Sequence, residues 1–119
     1  MLKISDKTKF CNFFLKKIIN NLDNSNELFF INNNEKYDYK FLKKLVLRFQ
    51  PILSKIKSKR IIVFSDKSIY YYAIVLSLAL SGKTWIQISP NIPLERIKRI
   101  IKLSKCKYAI YDESFGSSV

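Results

Sequence analysis

Ser65, Asp66, Lys67 and Ser68 are the side chains best placed in this sequence to bind or react with a ligand. They end an apolar run, Arg60 to Ser65, that is typical of a strand buried in a parallel sheet, and open α/β sheets bind ligands at the carboxyl ends of their strands. The same oxygens can instead cap the next helix by accepting its free N–H groups. No glycine lies here to let the backbone approach an anion, so helix capping is the favoured interpretation.

Two further sets of residues carry side chains that resemble functional groups. Asp112 and Glu113 are adjacent carboxylates, but neighbouring side chains near the end of a strand point apart. Tyr70, Tyr71 and Tyr72 can stack on bases, yet aromatic residues on a wholly apolar helix are expected in the core. Neither set is expected to carry chemistry.

Residue composition excludes several classes of catalytic site. The 119 residues include no histidine, which removes histidine-based nucleophile pairs and histidine metal ligands. The two glycines, Gly82 and Gly116, cannot build a Walker-type or dinucleotide-binding loop. Cys11 and Cys106 have no CxxC partner, so both are predicted to be buried, reduced thiols. The sequence therefore predicts no catalytic, cofactor-binding or metal-ligating residue.

The chain is strongly basic, with 22 lysines and arginines, nine acidic residues and a net charge of +13. The cations are spread over every predicted element, and Lys98, Arg99, Lys102 and Lys105 are expected to form a solvated helix face. A charge of this size attracts nucleic acid nonspecifically, because binding to phosphates releases counterions. A small nucleic-acid-binding module is therefore an alternative class of function.

No segment of the sequence is predicted to cross a membrane. The longest apolar run, Ile69 to Leu80, falls well short of the about 20 residues that a spanning helix needs, so it predicts a buried helix. Met1 to Lys9 mixes charged and polar residues without the apolar core of a secretory signal. These features favour a cytoplasmic location.

The elements that must position these residues follow from the spacing of apolar side chains. Apolar residues recur at three- and four-residue steps from Lys7 to Leu22 and from Phe41 to Ile56, which predicts two amphipathic helices. Pro51 is expected to kink or break the second helix. Between the helices, Glu27 to Ile31 and Lys36 to Tyr39 predict a β-hairpin.

The remaining sequence alternates strands and helices. Its predicted elements are a strand at Arg60 to Ser65, a helix at Ile69 to Leu80, a strand at Thr84 to Ser89, a helix after Pro93 that buries Leu94, Ile97, Ile100 and Ile101, and a strand at Lys107 to Tyr111. The order β-α-β-α-β with short connections predicts an open, mostly parallel sheet with helices on its faces. The fold class is therefore α/β.

The predicted elements form a single domain over residues 1–119. Within it, residues 1–26 hold the N-terminal helix, residues 27–113 the hairpin and the α/β region, and residues 114–119 a tail that is expected to fray.

A sequence motif connects the α/β region with a known family. Leu78 to Ile97 is similar to the pattern LKAG-x-x-Y-x-P-x-D-P-x-x-P-x-E-R-I, and Tyr39 to Leu42 resembles a TY-x-x-L entry to a helix, with Asp38 in place of threonine or serine. Both patterns resemble the beginning of the adenylate-forming enzymes, such as acyl-CoA ligases and the adenylation domains of nonribosomal peptide synthetases. The residues that match in register are Gly82, Pro90, Pro93, Glu95, Arg96 and Ile97, whereas Gln87 and Ser89 replace the usual proline and aspartate.

The resemblance implies that residues 27–113 are the opening part of an AMP-binding adenylation domain, a domain that activates an amino acid or other carboxylic acid as an acyl-adenylate. The P-x-E-R-I ending favours the amino-acid-activating members and the D-alanine ligases. In the family, the phosphate loop, the ribose-binding aspartate, the hinge and the catalytic lysine come later, and none has a counterpart here. The expectation is a truncated chain, inactive alone, with ATP and Mg²⁺ needed only by a full-length member.

Partner predictions follow from the same resemblance. The remainder of a split adenylation domain or a carrier protein would be the partner of such a chain, and a scaffold that docks onto a protein supplying the missing lobe is a further alternative. Within the matched motif, Glu95 and Arg96 are expected to form an ion pair or a helix-end contact rather than to carry chemistry.

Overall fold

A computed structural model describes residues 12–24, 28–32 and 35–111 of the chain. In chain order the elements are α1 (Asn12–Asn24), β1 (Leu28–Asn32), β2 (Glu35–Asp38), α2 (Tyr39–Leu53), β3 (Arg60–Phe64), α3 (Ile69–Leu80), β4 (Thr84–Ile88), α4 (Leu94–Ser104) and β5 (Tyr108–Tyr111). The predicted α/β class is confirmed, and β1 and β2 form the predicted antiparallel hairpin. Cys11, Asp112, Glu113, Gly116 and the predicted tail lie outside the described residues.

The main sheet has three parallel strands in the order β4-β3-β5. The chain crosses from β3 to β4 on one side and then returns past β3 to reach β5 on the other. Because the two crossovers run in opposite directions, right-handed connections place α3 and α4 on opposite faces of the sheet. The central strand β3 is therefore covered on both faces, and its residues from Ile61 to Phe64 are all buried.

Alternate residues of β3 enter two different parts of the core, as the two-residue period of a strand requires. Ile61 and Val63 pack with residues of α3, including Tyr71, Val75 and Leu78. Ile62 and Phe64 point to the other face, where they pack with Ile88 of β4 and Ile97 of α4. This is why the sequence of β3 is continuously apolar rather than alternating.

Helix α3 is apolar all round because both of its faces are buried. One face meets the sheet, and the other carries Ile69, Ala73 and Leu80 into a cluster with α2 and α1. The residues of α2 and α1 in that cluster are Leu42, Leu45, Val46 and Leu22. The buried Ser77 satisfies its hydroxyl within the helix, donating to the carbonyl of Ala73 at 2.7 Å.

Helix α2 begins at a capped residue and ends just after a proline. The Oδ1 atom of Asp38 accepts a hydrogen bond from the Phe41 N–H at 2.9 Å, so the residue at the threonine or serine position of the matched pattern caps the helix. Pro51 lies in the last turn of α2, and the helix ends two residues later at Leu53, so the break expected at the proline is the end of the helix. An ion pair between Lys43 Nζ and Asp23 Oδ1, 2.8 Å apart, joins α2 to α1.

Two predicted apolar faces are less buried than expected. Ile52 belongs to the predicted stripe of α2, but it is 62% exposed beside the buried Leu53. On α4, Ile97 is buried and Ile100 is half-buried, whereas the predictions for Leu94 and Ile101 are wrong because both side chains are exposed. The reason on α4 is geometric, since a single helix over a narrow sheet covers only the residues nearest its contact line.

The neighbouring residues Ile52 and Leu53 provide a direct test of this packing. Leu53→Ala removes a buried side chain from the cluster between α2, α3 and β3, and we expect it to lower the free energy of unfolding by about 2–5 kcal/mol. Ile52→Ala is the matched control, with an expected change within about 0.5 kcal/mol. Urea denaturation followed by circular dichroism measures both. Equal losses of stability in the two variants would contradict the packing described.

Candidate functional site

The loop after β3 lies where open α/β sheets bind ligands, although the sequence favoured helix capping for its residues. Its serine hydroxyl groups make hydrogen bonds within the loop and to the first turn of α3. Ser68 is the N-cap of α3, and its Oγ accepts a hydrogen bond from the Tyr71 N–H at 3.2 Å. Ser65 is buried and its Oγ donates to the Asp66 carbonyl at 2.8 Å. The capping interpretation is thus confirmed for Ser68, while Asp66 and Lys67 are exposed to solvent.

The loop after β4 lies beside this segment because β3 and β4 are paired neighbours. The Gln87 side-chain amide donates to the Ser65 carbonyl at 3.1 Å, and the Ser65 N–H donates to the Ile88 carbonyl at 3.2 Å. Gln87, which stands at the proline position of the matched pattern, therefore ties β4 to the residue that follows β3.

The three consecutive tyrosines divide between core and surface. Tyr71 is buried and Tyr72 half-buried, with ring centroids 5.3 Å apart in an edge-to-face arrangement. The core interpretation therefore holds for these two side chains. Tyr70 is different, because 53% of its surface is exposed.

Tyr70 lies at the rim of a small cavity that sequence reasoning did not predict. The cavity has a volume of about 130 Å³ and lies between the carboxyl ends of β3 and β5 and the first turns of α3. Its lining residues are Val63, Phe64, Ser65, Tyr70, Ile74, Ile110 and Tyr111. They come from three separate elements, so no local pattern in the sequence could have revealed the cavity.

The solvent-facing side of α4 carries most of the predicted basic face. Lys98, Arg99, Lys102 and Lys105 are all exposed, which agrees with the solvated face expected from the sequence. An open groove of about 740 Å³ runs between the side chains Pro93, Glu95, Arg96, Lys98, Arg99, Lys102 and Leu103. Of the two roles expected for Glu95 and Arg96, an ion pair or a helix-end contact, the structure supports the second for Glu95, which lies in the first turn of α4, where its charge complements the helix dipole.

The residues of the matched motif occupy positions that shape the backbone or the core. Gly82 has a positive φ of 73°, a conformation that glycine adopts without steric cost, in the turn between α3 and β4. Pro93 is the N-cap residue of α4, and Ile97 is buried against the sheet. The neighbouring Lys83, which the sequence did not single out, donates from Nζ to the carbonyls of Ile56 and Ser58 and fastens the loop before β3.

Metal ligands and membrane spans were sought in the same residues. Across residues 12–24, 28–32 and 35–111, no three His, Cys, Asp or Glu side chains are grouped so that they could hold a metal ion. Over the same ranges, no helix has the length and apolar character needed to cross a membrane. Cys106 is a free, half-buried thiol.

Comparisons with known proteins identify the fold. No protein-family model matches the sequence, and no curated protein matches it significantly. The structure is similar to the Vibrio cholerae adenylation domain AlmE in complex with glycyl-adenosine-5'-phosphate, with a TM-score of 0.72, 16% sequence identity and coverage of 86% of this chain and 20% of AlmE.

Two other solved structures match to a similar degree. IdnL1 gives a TM-score of 0.68 and 15% identity over 82% of this chain and 22% of its own. AB3403, a four-domain nonribosomal peptide synthetase bound to AMP and glycine, gives 0.74 and 18% over 95% of this chain and 9% of its own. The chain thus spans about a fifth or less of the structures it matches, and it has the fold of a segment of adenylation domains.

The cap at Ser68 can be tested against a ligand-binding role for the loop. Ser68→Ala removes the acceptor for the Tyr71 N–H, and we expect the free energy of unfolding to fall by about 1 kcal/mol. Ser68→Asp keeps an acceptor at the N-terminus of α3 and should retain most of the stability. Thermal and urea unfolding measure the difference. Equal stability of the alanine variant and the wild type would contradict the capping role.

Proposed function

We propose that this chain is the N-terminal part of an adenylate-forming domain of the amino-acid-activating kind, and that it does not form an acyl-adenylate by itself. The observation that carries the proposal is the fold, shared with AlmE over 86% of the chain. The motif from Leu78 to Ile97 supports it independently, because its matched residues come from the sequence alone. We place the chain at the beginning of the domain because this motif resembles the beginning of the adenylate-forming enzymes.

The amino-acid-activating assignment has two supports. The P-x-E-R-I ending of the motif, from Pro93 to Ile97, is more typical of amino-acid-activating members. Among the structures of the same fold, AlmE holds a glycyl-adenylate and AB3403 holds AMP and glycine. An amino acid is therefore the substrate class that we propose for the complete domain to which such a segment would belong.

The residues at the carboxyl edge of the sheet do not suit the ATP and Mg²⁺ that a full-length member would use. Adenylate formation shifts negative charge on the ATP phosphates, so it needs hydrogen-bond donors and cations held beside those phosphates. Ser65 and Ser68 direct their hydroxyls into the loop and the helix cap, and Gln87 joins β3 to β4. Of the exposed groups, Asp66 and Lys67 carry opposite charges side by side, so the loop offers no net positive charge to a phosphate. We derive no ATP-dependent step for this chain.

We propose the remainder of a split adenylation domain, or a carrier protein, as the physiological partner of this chain. The support is AB3403, a nonribosomal peptide synthetase of four domains that contains the same fold. We also propose a cytoplasmic location.

Amino-acid-dependent ATP–pyrophosphate exchange tests the lack of independent activity. The full chain is assayed with glycine and with a mixture of the standard amino acids, and AlmE with glycine serves as the control for the assay. We expect exchange by the chain to be indistinguishable from that in buffer. Turnover that depends on an amino acid and co-purifies with the folded chain would contradict the proposal.

A segment exchange tests the relation to adenylation domains separately. Residues 82–97 of this chain replace the structurally matched segment of AlmE, and a scrambled version of the same residues is the control. Because Gly82, Pro93 and Ile97 shape the turn, the helix start and the core, we expect the exchanged enzyme to keep glycine-dependent activity within about tenfold, whereas the scrambled version should lose it. A folded but inactive exchange variant would argue against equivalence of the segments.

A further inference from the structure

The amino edge of the main sheet, where β3, β4 and β5 begin, carries a concentrated positive charge. The connections that lead into the three strands are residues 54–59, 81–83 and 105–107. Together with the first residue of β3 they contain no acidic residue and seven cations: Lys55, Lys57, Lys59, Arg60, Lys83, Lys105 and Lys107. At the opposite edge, Asp66 follows β3 and Glu95 follows β4. The positive charge is therefore gathered at one end of the sheet.

Hydrogen bonds hold these connections together as one surface. Arg60 Nη1 donates to the Ser104 carbonyl at 3.2 Å, which joins the start of β3 to the end of α4. Lys83 Nζ donates to the Ser58 carbonyl at 2.8 Å, which joins the turn before β4 to the loop before β3. Basic stretches that lie far apart in the sequence thus become neighbours in the fold.

The positive charge of this edge has no compensating carboxylate nearby. Apart from Lys83, the seven cations are exposed, and within residues 12–24, 28–32 and 35–111 none of these six forms an ion pair. All of them lie in internal connections of the chain, and β5 runs from this edge to its last residue at the opposite one. An anionic surface that approaches the amino edge is therefore attracted by six uncompensated charges.

Exposed apolar side chains accompany the cations. Helices α2 and α4 end at the same edge, and their last turns carry Ile52 and Leu103, which are 62% and 75% exposed. Tyr108, the first residue of β5, is 46% exposed. Lysine and arginine beside exposed apolar and aromatic side chains are typical of protein surfaces that lie on an anionic membrane.

The three strands begin almost level with one another. Arg60 pairs with Thr84, the first residue of β4, and Ile61 pairs with Tyr108, the first residue of β5. The strand starts therefore differ by at most one residue, or about 3.3 Å along the strands. A level edge suits the flat surface of a bilayer. Nucleic acid is the poorer fit, because it offers the exposed apolar side chains no apolar surroundings.

We propose that the amino edge of the sheet binds the surface of an anionic phospholipid membrane. The lysines and arginines contact the charged lipid headgroups, and Ile52, Leu103 and Tyr108 enter the headgroup region. The binding is peripheral, and the carboxyl edge of the sheet faces away from the lipid. This inference goes beyond the proposed adenylation-domain function, because it concerns only this surface.

Co-sedimentation with lipid vesicles tests the proposal on the full chain. Vesicles of phosphatidylcholine mixed with phosphatidylserine are compared with vesicles of phosphatidylcholine alone, at an ionic strength of about 0.15 M. We expect the mixed vesicles to bind the chain more tightly by about tenfold or more, because only they carry a negative surface potential.

Charge variants locate the binding surface. Lys57→Glu combined with Lys107→Glu is expected to weaken binding by about tenfold or more, because both lysines lie at the amino edge. The matched control combines Lys40→Glu with Lys67→Glu, which lowers the net charge equally at exposed positions in the first turn of α2 and after β3. Its binding should stay within about threefold of the wild type.

An apolar pair on α4 separates membrane contact from charge. Leu103→Ala is expected to weaken binding about fivefold, because it removes apolar surface that enters the lipid. Leu94→Ala is the control, since Leu94 is 52% exposed at the opposite end of the same helix. Circular dichroism verifies that each variant is folded.

Three results would overturn the proposal. Equal losses in the two charge variants would attribute the binding to net charge alone. Displacement from the vesicles by a duplex DNA oligonucleotide, with Leu103→Ala binding as tightly as the wild type, would favour nucleic acid. Failure of the folded chain to bind the mixed vesicles, or equal binding to phosphatidylcholine alone, would exclude an anionic membrane as the partner. The ATP–pyrophosphate exchange assay is unaffected by any of these outcomes.

Discussion

Burial of α3 on both faces is the constraint on which the rest of this structure depends. One face of the helix packs on Ile61 and Val63 of the central strand, and the other packs on α2 and on Leu22 of α1. Because the helix contributes apolar side chains in both directions, it joins the sheet to the N-terminal helices in one core. The cap at Ser68 and the left-handed turn at Gly82 fix where this helix begins and ends.

That constraint also determines what the carboxyl edge of the sheet can do. The polar residues between β3 and α3 must satisfy the first N–H groups of a helix whose sides are buried, and Ser68 does so. Ser65 and Gln87 are likewise engaged in holding β3 beside β4. The polar groups of Ser65 and Ser68, which most resembled a ligand site, therefore make hydrogen bonds within the fold. The cavity beside β5 is more accessible to solvent.

The sequence predicted the helices and strands well, but it predicted less well which of their apolar side chains are exposed. The apolar run from Ile69 to Leu80 predicted both ends of α3 correctly, because Ser68 precedes the run and Gly82 follows it closely. Strand order was beyond local patterns, since the central place of β3 depends on two crossovers in opposite directions. For the same reason the exposure of Leu94 and the cavity at Tyr111 could not be foreseen: both depend on how much of each element its neighbours cover.

This chain has the fold of an adenylation-domain segment, and we propose that the residues at the carboxyl edge of its sheet serve the fold and do not bind nucleotide. Nuclear magnetic resonance titration of the ¹⁵N-labelled chain with Mg²⁺ and ATP tests it most directly. The account predicts small amide shifts on the basic face of α4 that disappear as salt is raised, because they reflect charge alone. Saturable, salt-resistant shifts at residues 65–68 would contradict it.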